Sequence, residues 1–173
     1  TIVTLHLGSG CSAAAILRGR SVDTSMGYSP LEGLMMGSRA GDLDPAILTH
    51  MLRQGMSLQQ LERMLNYEAG LKAVGGTADV RELQRRGDPA SELALDIFCY
   101  RIRKYVGAYL AVLEGAEALV FTGGIGEHAP EIRARVCAGF GWAGLTLDAE
   151  LNRGQGPRIS ADGSRVAAYA IPT

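Results

Sequence analysis

The first 25 residues constrain the fold more than any other stretch of this chain. Three strand-like runs, Thr1–Leu7, Ser12–Leu17 and Ser21–Ser25, are separated only by Gly8-Ser9-Gly10-Cys11 and Arg18-Gly19-Arg20. Connections this short join antiparallel neighbours, because a parallel pair needs a crossover of about a dozen residues or more. The chain therefore opens as an antiparallel meander, which rules out a helical bundle. Met26–Leu43 follows with four glycines and Pro30, and reads as a long irregular loop. Loops of that length are uncommon unless they carry function.

Helical signals come next. Asp44-Pro45 supplies an N-cap and a proline at the first helical position, and that helix runs to about Gln54. Ser57-Leu-Gln-Gln60 is a capping box that opens a short helix through Asn66. Asp79–Arg86 is another short helix. Asp88-Pro89 starts the longest one, to about Glu114, with Ala94, Phe98, Tyr105, Tyr109 and Val112 near one face. At about 1.5 Å per residue it spans roughly 37 Å. Ala118–Thr122 reads as a strand, Gly123–Glu127 as a turn, and Pro130 as the start of a helix with Ile132, Val136 and Phe140 inward. A short strand at Leu145–Leu147, a hairpin about Asp162-Gly163 and a last strand after Arg165 complete the pattern. Strands and helices of this order, without repeat or linker, predict one α/β domain over residues 1–173.

Composition narrows the function classes. Seventeen Lys and Arg balance eighteen Asp and Glu, so no basic face is available for nucleic acid. No run reaches the roughly 18 apolar residues of a membrane span. Cys11, Cys99 and Cys137 are odd in number and lack a CxxC spacing, so a disulfide scaffold and a zinc site are not expected, and a reducing cytoplasm is. Cys99 and Cys137 read as small buried hydrophobes. Glycine is in excess at 23 residues, without period, which calls for several close backbone approaches. Both ends read as cut through strands, predicting a piece of a longer chain.

Three segments could carry chemistry. His6-Leu7-Gly8-Ser9-Gly10-Cys11-Ser12-Ala13 matches G-x-G-x-x-A after a strand, but no long helix follows and Asp23 comes too soon for a dinucleotide fingerprint. It reads instead as a glycine turn whose N–H groups could face phosphate, or as a plain hairpin turn. Val120–Pro130 is a strand, a glycine turn and a helix start: a site for an anion, or a flat backbone shelf for a base, with Glu127 alternatively a first-turn acid. In the long loop, Arg39 lies between Gly37 and Gly41 and could be brought to a phosphoryl group, although a surface arginine in a loop is the plainer reading. Asp42 and Asp44 could pair on a metal, but Asp44 is explained as a cap. His50 and His128 read as structural or solvated. GxxxxGK[ST], GxSxG and HExxH are all absent.

Asp23–Pro45 (DTSMGYSPLEGLMMGSRAGDLDP) resembles the most distinctive signature of the acetate kinase family, the acetate and propionate kinases. His6–Gly10 resembles that family's second phosphate loop, Gly123–Glu127 its adenosine turn, and Asp79-Val80-Arg81 a further nucleotide-contacting motif. The resemblance implies the actin-like, ribonuclease-H-like fold shared with sugar kinases and chaperone ATPases, a mixed sheet with flanking helices. It implies reversible transfer of the ATP γ-phosphoryl to acetate, giving acetyl phosphate and ADP with Mg²⁺. Propionate as acceptor, and a non-catalytic nucleotide-binding module, are the alternatives.

By this resemblance His6, Leu7, Gly8, Ser9 and Gly10 hold phosphates. Asp79, Val80, Arg81, Gly123, Gly124, Ile125, Gly126 and Glu127 hold the nucleoside, and Arg39 stabilises the transferring phosphoryl. Small departures are Ser9 for Asn, Ser38-Arg39-Ala40 for Thr-Arg-Ser, and His128 for Asn. The family's first lobe and its magnesium-ligating Glu fall outside this sequence. The resemblance thus implies a nucleotide-binding half that is inactive alone, within a cytoplasmic enzyme that pairs as a homodimer.

Overall fold

The computed structural model describes residues 1–154 and 156–173. Its centre is a five-stranded sheet in the order β3-β2-β1-β4-β5, formed by β1 (Ile2–Leu7), β2 (Cys11–Leu17), β3 (Arg20–Thr24), β4 (Ala118–Thr122) and β5 (Ala167–Ala170). β1, β2 and β3 are antiparallel, while β4 runs parallel to β1 and β5 parallel to β4. The expected meander is present. Its second turn places Arg18 and Gly19 at φ 51° and 78°, the paired positive angles of a type I′ hairpin.

Eight α-helices lie around the sheet among the described residues: α1 (Pro45–Arg53), α2 (Leu58–Arg63), α3 (Gly70–Gly75), α4 (Val80–Arg86), α5 (Pro89–Val112), α6 (Gly123–His128), α7 (Pro130–Cys137) and α8 (Ala149–Arg153). Their starts follow the sequence signals. Asp44 accepts from Ala46 N–H, Asp88 from Ser91 N–H, and Ser57 and Gln60 exchange both bonds of a capping box. α2 runs on into a π-helical turn at Met64–Glu68.

α5 packs on β1 and β2, burying Phe98, Ile102, Val106 and Tyr109 over Leu5, Leu7 and Ala13. Its expected single face is corrected here: Val112 is 53% exposed, while Leu95, Cys99, Ile102, Val106 and Leu110 are buried as well. α5 touches α3, α4 and α7 in addition to the sheet, so its buried arc is wider than one stripe. Leu145–Leu147 forms isolated bridges to Val166 and Ser160 rather than a strand, and Ala161–Ser164 closes the turn between them.

Two helices differ from the sequence reading. Gly123–Glu127, expected as a turn, lies inside the one-and-a-half turns of α6. α3 had no signal because its N-cap, Ala69, has no capping side chain. Its first N–H groups are taken by the long loop: Leu71 N–H donates to Met36 O and Lys72 N–H to Gly37 O, both at 2.9 Å. The arrangement is the actin-like, ribonuclease-H-like one, a mixed sheet with flanking helices.

Candidate functional site

Side by side and parallel, β1 and β4 pair His6 with Thr122, so both strands finish at the same edge. β1's other neighbour runs antiparallel. Crevices outside the carboxyl ends of parallel strands, where strand order turns, are the usual ligand positions of open α/β sheets. A glycine turn leaves β1 there, and β4 runs straight into the glycine-rich start of α6.

After β1, Gly8 N–H donates to Gly10 O at 3.0 Å and closes the turn. Among the described residues no acceptor takes the N–H of Ser9 or Gly10. Ser9 is exposed, and His6 Nδ1 lies 3.1 Å from Thr122 Oγ1. After β4, Gly123 adopts φ +77°, and a Cβ on it would lie 2.7 Å from Leu7 O. The start of α6 is thus pressed onto the end of β1 in a way only glycine allows. Gly126 approaches the backbone of Phe121 similarly, with 3.3 Å from a Cβ to the Phe121 carbonyl carbon. Gly124 differs, since nothing lies within 4 Å of its would-be Cβ.

The other wall is the start of α4. Asp79 caps that helix through Arg81 N–H at 2.9 Å and also grips the Arg81 guanidinium, Nε at 3.1 Å and Nη2 at 2.8 Å. Arg81's hydrogen bonds hold the Asp79 carboxyl below the usual carboxylate range, and Asp79 in turn raises the guanidinium. Between the walls is a cleft of about 490 Å³ lined by Gly8, Ser9, Ala78, Asp79, Val80, Arg81, Gly124, Ile125, His128 and Ala129.

Arg39 stands at the far side of the first turn. A Cβ on Gly10 would be 3.4 Å from its Nη1, which donates to Pro30 O at 3.1 Å. Its loop is fastened to the same turn, because Gly37 N–H donates to Ser9 O at 3.2 Å. The structure therefore brings Gly8, Ser9, Asp79, Val80, Arg81, Gly124 and Ile125 to one cleft, with His6, Gly10 and Arg39 around the first turn. Leu7 is wholly buried in the core. Gly123 and Gly126 lie beneath the cleft as close-packing positions. The Glu127 carboxylate turns to Thr173, accepting from its N–H and hydroxyl at 3.0 Å each, contacts that keep it below the usual carboxylate range.

Some site residues escaped sequence reasoning. Ala78, His128 and Ala129 line the cleft, and only His128 carried a signal, its place directly after the glycine turn. Arg133 carried none. It is 2% exposed, and its guanidinium donates to Gly126 O at 2.8 Å, Glu127 O at 2.7 Å, Asn152 Oδ1 at 2.8 Å and Asn152 O. It thereby satisfies the last carbonyls of α6, and its pKa is lowered by burial. Among the described residues no group of three or more His, Cys, Asp or Glu is placed to hold a metal ion. No helix among them is long and apolar enough to cross a membrane.

Known proteins resemble this chain in sequence and in fold. The model of the acetokinase family matches residues 1–173. The chain is 53% identical to an acetate kinase of Solibacter usitatus over 181 residues, covering 99% of this chain and 44% of that protein. It superposes on Porphyromonas gingivalis acetate kinase with TM-score 0.94 at 40% identity, covering 99% of this chain and 45% of the other. A propionate kinase from Francisella tularensis superposes with TM-score 0.95 at 38% identity, covering 99% and 46%. The chain spans less than half the length of these relatives.

Proposed function

The chain belongs to the acetokinase family, and from that premise we propose that it is the nucleotide-binding lobe of a short-chain carboxylate kinase. The reaction is transfer of the ATP γ-phosphoryl to a carboxylate oxygen, leaving ADP and an acyl phosphate, and it is reversible. Acetate or propionate is the acceptor, in keeping with the names of the relatives.

The observation that carries this reading is the cleft at the carboxyl ends of β1 and β4. Its Ser9 end offers unpaired N–H groups beside a hydroxyl, a concavity suited to phosphate oxygens. Gly124 and Ile125 form a flat shelf with room above it for a base, and Asp79, Val80 and Arg81 face that shelf from α4. Because α6 has only six residues, this shelf acts through shape rather than through a helix dipole. Arg39, held beside Gly10, supplies a planar fork of donors to the equatorial oxygens of the moving phosphoryl.

We propose that a magnesium ion enters with the nucleotide and is held mainly by its phosphates. When bound, that ion neutralises phosphate charge. We place residues 1–173 as one lobe that binds nucleotide by itself and needs the rest of its relatives' length for turnover, because two substrates must be oriented across a cleft. Homodimerisation and a cytoplasmic setting belong to the same proposal, for the full-length enzyme.

Isothermal titration with MgADP is the test. Saturable binding to the wild-type chain, weakened by Gly124→Val and by Arg81→Ala, supports the lobe. A folded chain that takes up no MgADP overturns its autonomy, and acetyl phosphate formed by this chain alone from ATP and acetate overturns its inactivity.

A further inference from the structure

We infer that Asp42 is a positioning residue for Arg39, acting through a staple that joins the two legs of the long loop to helix α5. The Asp42 carboxylate accepts from Gly33 N–H at 2.8 Å and from the Tyr105 hydroxyl at 2.9 Å. Its backbone N–H donates to Gly33 O at 3.0 Å, and its carbonyl accepts from Arg101 Nη2 at 2.7 Å. This one residue of the returning leg thus bonds the outgoing leg twice at Gly33, and α5 through Tyr105 and Arg101.

Interlocked backbone surrounds the staple. Gly41 has φ +72°, and a Cβ there would lie 2.5 Å from Gly33 O; Gly33 has φ +103°, and a Cβ there would lie 2.3 Å from Ser25 O. The two legs therefore touch without side chains between them, and any sliding of one past the other must break the Asp42 bonds.

What the legs carry is Arg39. Its side chain is held by Pro30 O on the outgoing leg, while its backbone belongs to the returning leg, where Arg39 O accepts from Met36 N–H at 3.2 Å. The relative position of the legs consequently sets the direction of the guanidinium. Leu34, Met35 and Met36 already anchor the loop in the core, so Asp42 adds orientation more than attachment. The cleft on the far side of Gly8-Ser9-Gly10 has no contact with Asp42, so the staple's effect falls on the transferring phosphoryl and spares nucleotide binding. This inference rests on the proposed role of Arg39.

The test compares Asp42→Ala, Asp42→Asn, Tyr105→Phe and Arg39→Ala in this chain joined to the half that its relatives carry beyond it, measuring kcat, the KM for ATP and the melting temperature. Loss of hydrogen bonds to a charged partner predicts that Asp42→Ala lowers kcat about tenfold to a hundredfold, with the KM for ATP within about twofold. Asp42→Asn restores most of the rate, since an amide can accept from Gly33 N–H and donate to the Tyr105 oxygen. On the Arg39→Ala background, Asp42→Ala adds no further loss in kcat, whereas a merely structural residue would add its own. If Asp42→Ala fails to fold, Tyr105→Phe keeps the inference exposed, with the same kcat-only loss at smaller size. Unchanged kcat in Asp42→Ala and Tyr105→Phe while Arg39→Ala is crippled overturns the staple and leaves the proposed function standing. Full activity in Arg39→Ala overturns the role of Arg39 itself.

Discussion

Gly123 sits against the backbone of Leu7 so closely that a Cβ would lie 2.7 Å from the Leu7 carbonyl oxygen and 3.1 Å from its nitrogen. The contact joins the start of α6 to the end of β1. It sets the depth at which α6 meets the end of β1, and with it the distance between the Gly8–Gly10 turn and the shelf of Gly124 and Ile125.

Gly123 and its neighbour are expected to separate stability from binding. Gly123→Ala combines a positive φ with a backbone clash and should cost about 2 kcal/mol or more. In a chain of this size that lowers the melting temperature by roughly 5 °C or more. Gly124→Val meets open space and should melt within a few degrees of wild type, yet it narrows the cleft and should weaken MgADP binding about tenfold or more. Thermal melts beside calorimetric titration read both.

Arg133 should behave as a keystone of the same shelf. Arg133→Met leaves the carbonyls of Gly126 and Glu127 and the side chain of Asn152 without their donor in a buried place. A loss on the order of 3 kcal/mol is expected in urea unfolding. Arg133→Lys should recover little of it, because a single ammonium cannot span four acceptors set around a planar fork.

The fork of Asp79 and Arg81 should outlast mild acid. Asp79's pKa is lowered from 3.8 in the folded chain. A depressed carboxylate contributes stability that is fully present above its unfolded value and is lost as pH falls through the folded value. The Arg81 amide, bonded to Asp79, should therefore begin to move only at a lower pH than the amides reporting on unpaired carboxylates of the same chain. Asp79→Asn should remove that titration and fray the first turn of α4.

All three thiols should be silent in the native chain. Burial pushes Cys11, Cys99 and Cys137 each up to about 12. At pH 8 the thiolate fraction is then roughly one in 10⁴, against about a quarter for an exposed cysteine. Iodoacetamide at pH 8 should modify none of them until denaturant is added, and all three afterwards.

What the sequence determined by itself was local and covalent. Short glycine connections left no choice but an antiparallel meander, and Asp44-Pro45, Ser57–Gln60 and Asp88-Pro89 began helices where their side chains could reach the first N–H groups. The glycine-rich segments after β1 and β4 were legible as places of close backbone approach for the same reason, since backbone freedom is a property of a few consecutive residues. Tertiary structure decided whatever depended on partners distant in the chain. α3 formed because Met36 and Gly37, more than 30 residues earlier, cap it with their carbonyls. Val112 fell outside the core because the buried arc of α5 is set by the neighbours that surround it. Asp42 found Tyr105, Arg133 found Asn152, and Glu127 turned from the cleft to Thr173. The first two pairings answer to the burial of unsatisfied polar groups, a penalty that exists only once the strands and helices have closed around them, and the third, at the surface, needs only that the fold bring the two residues together.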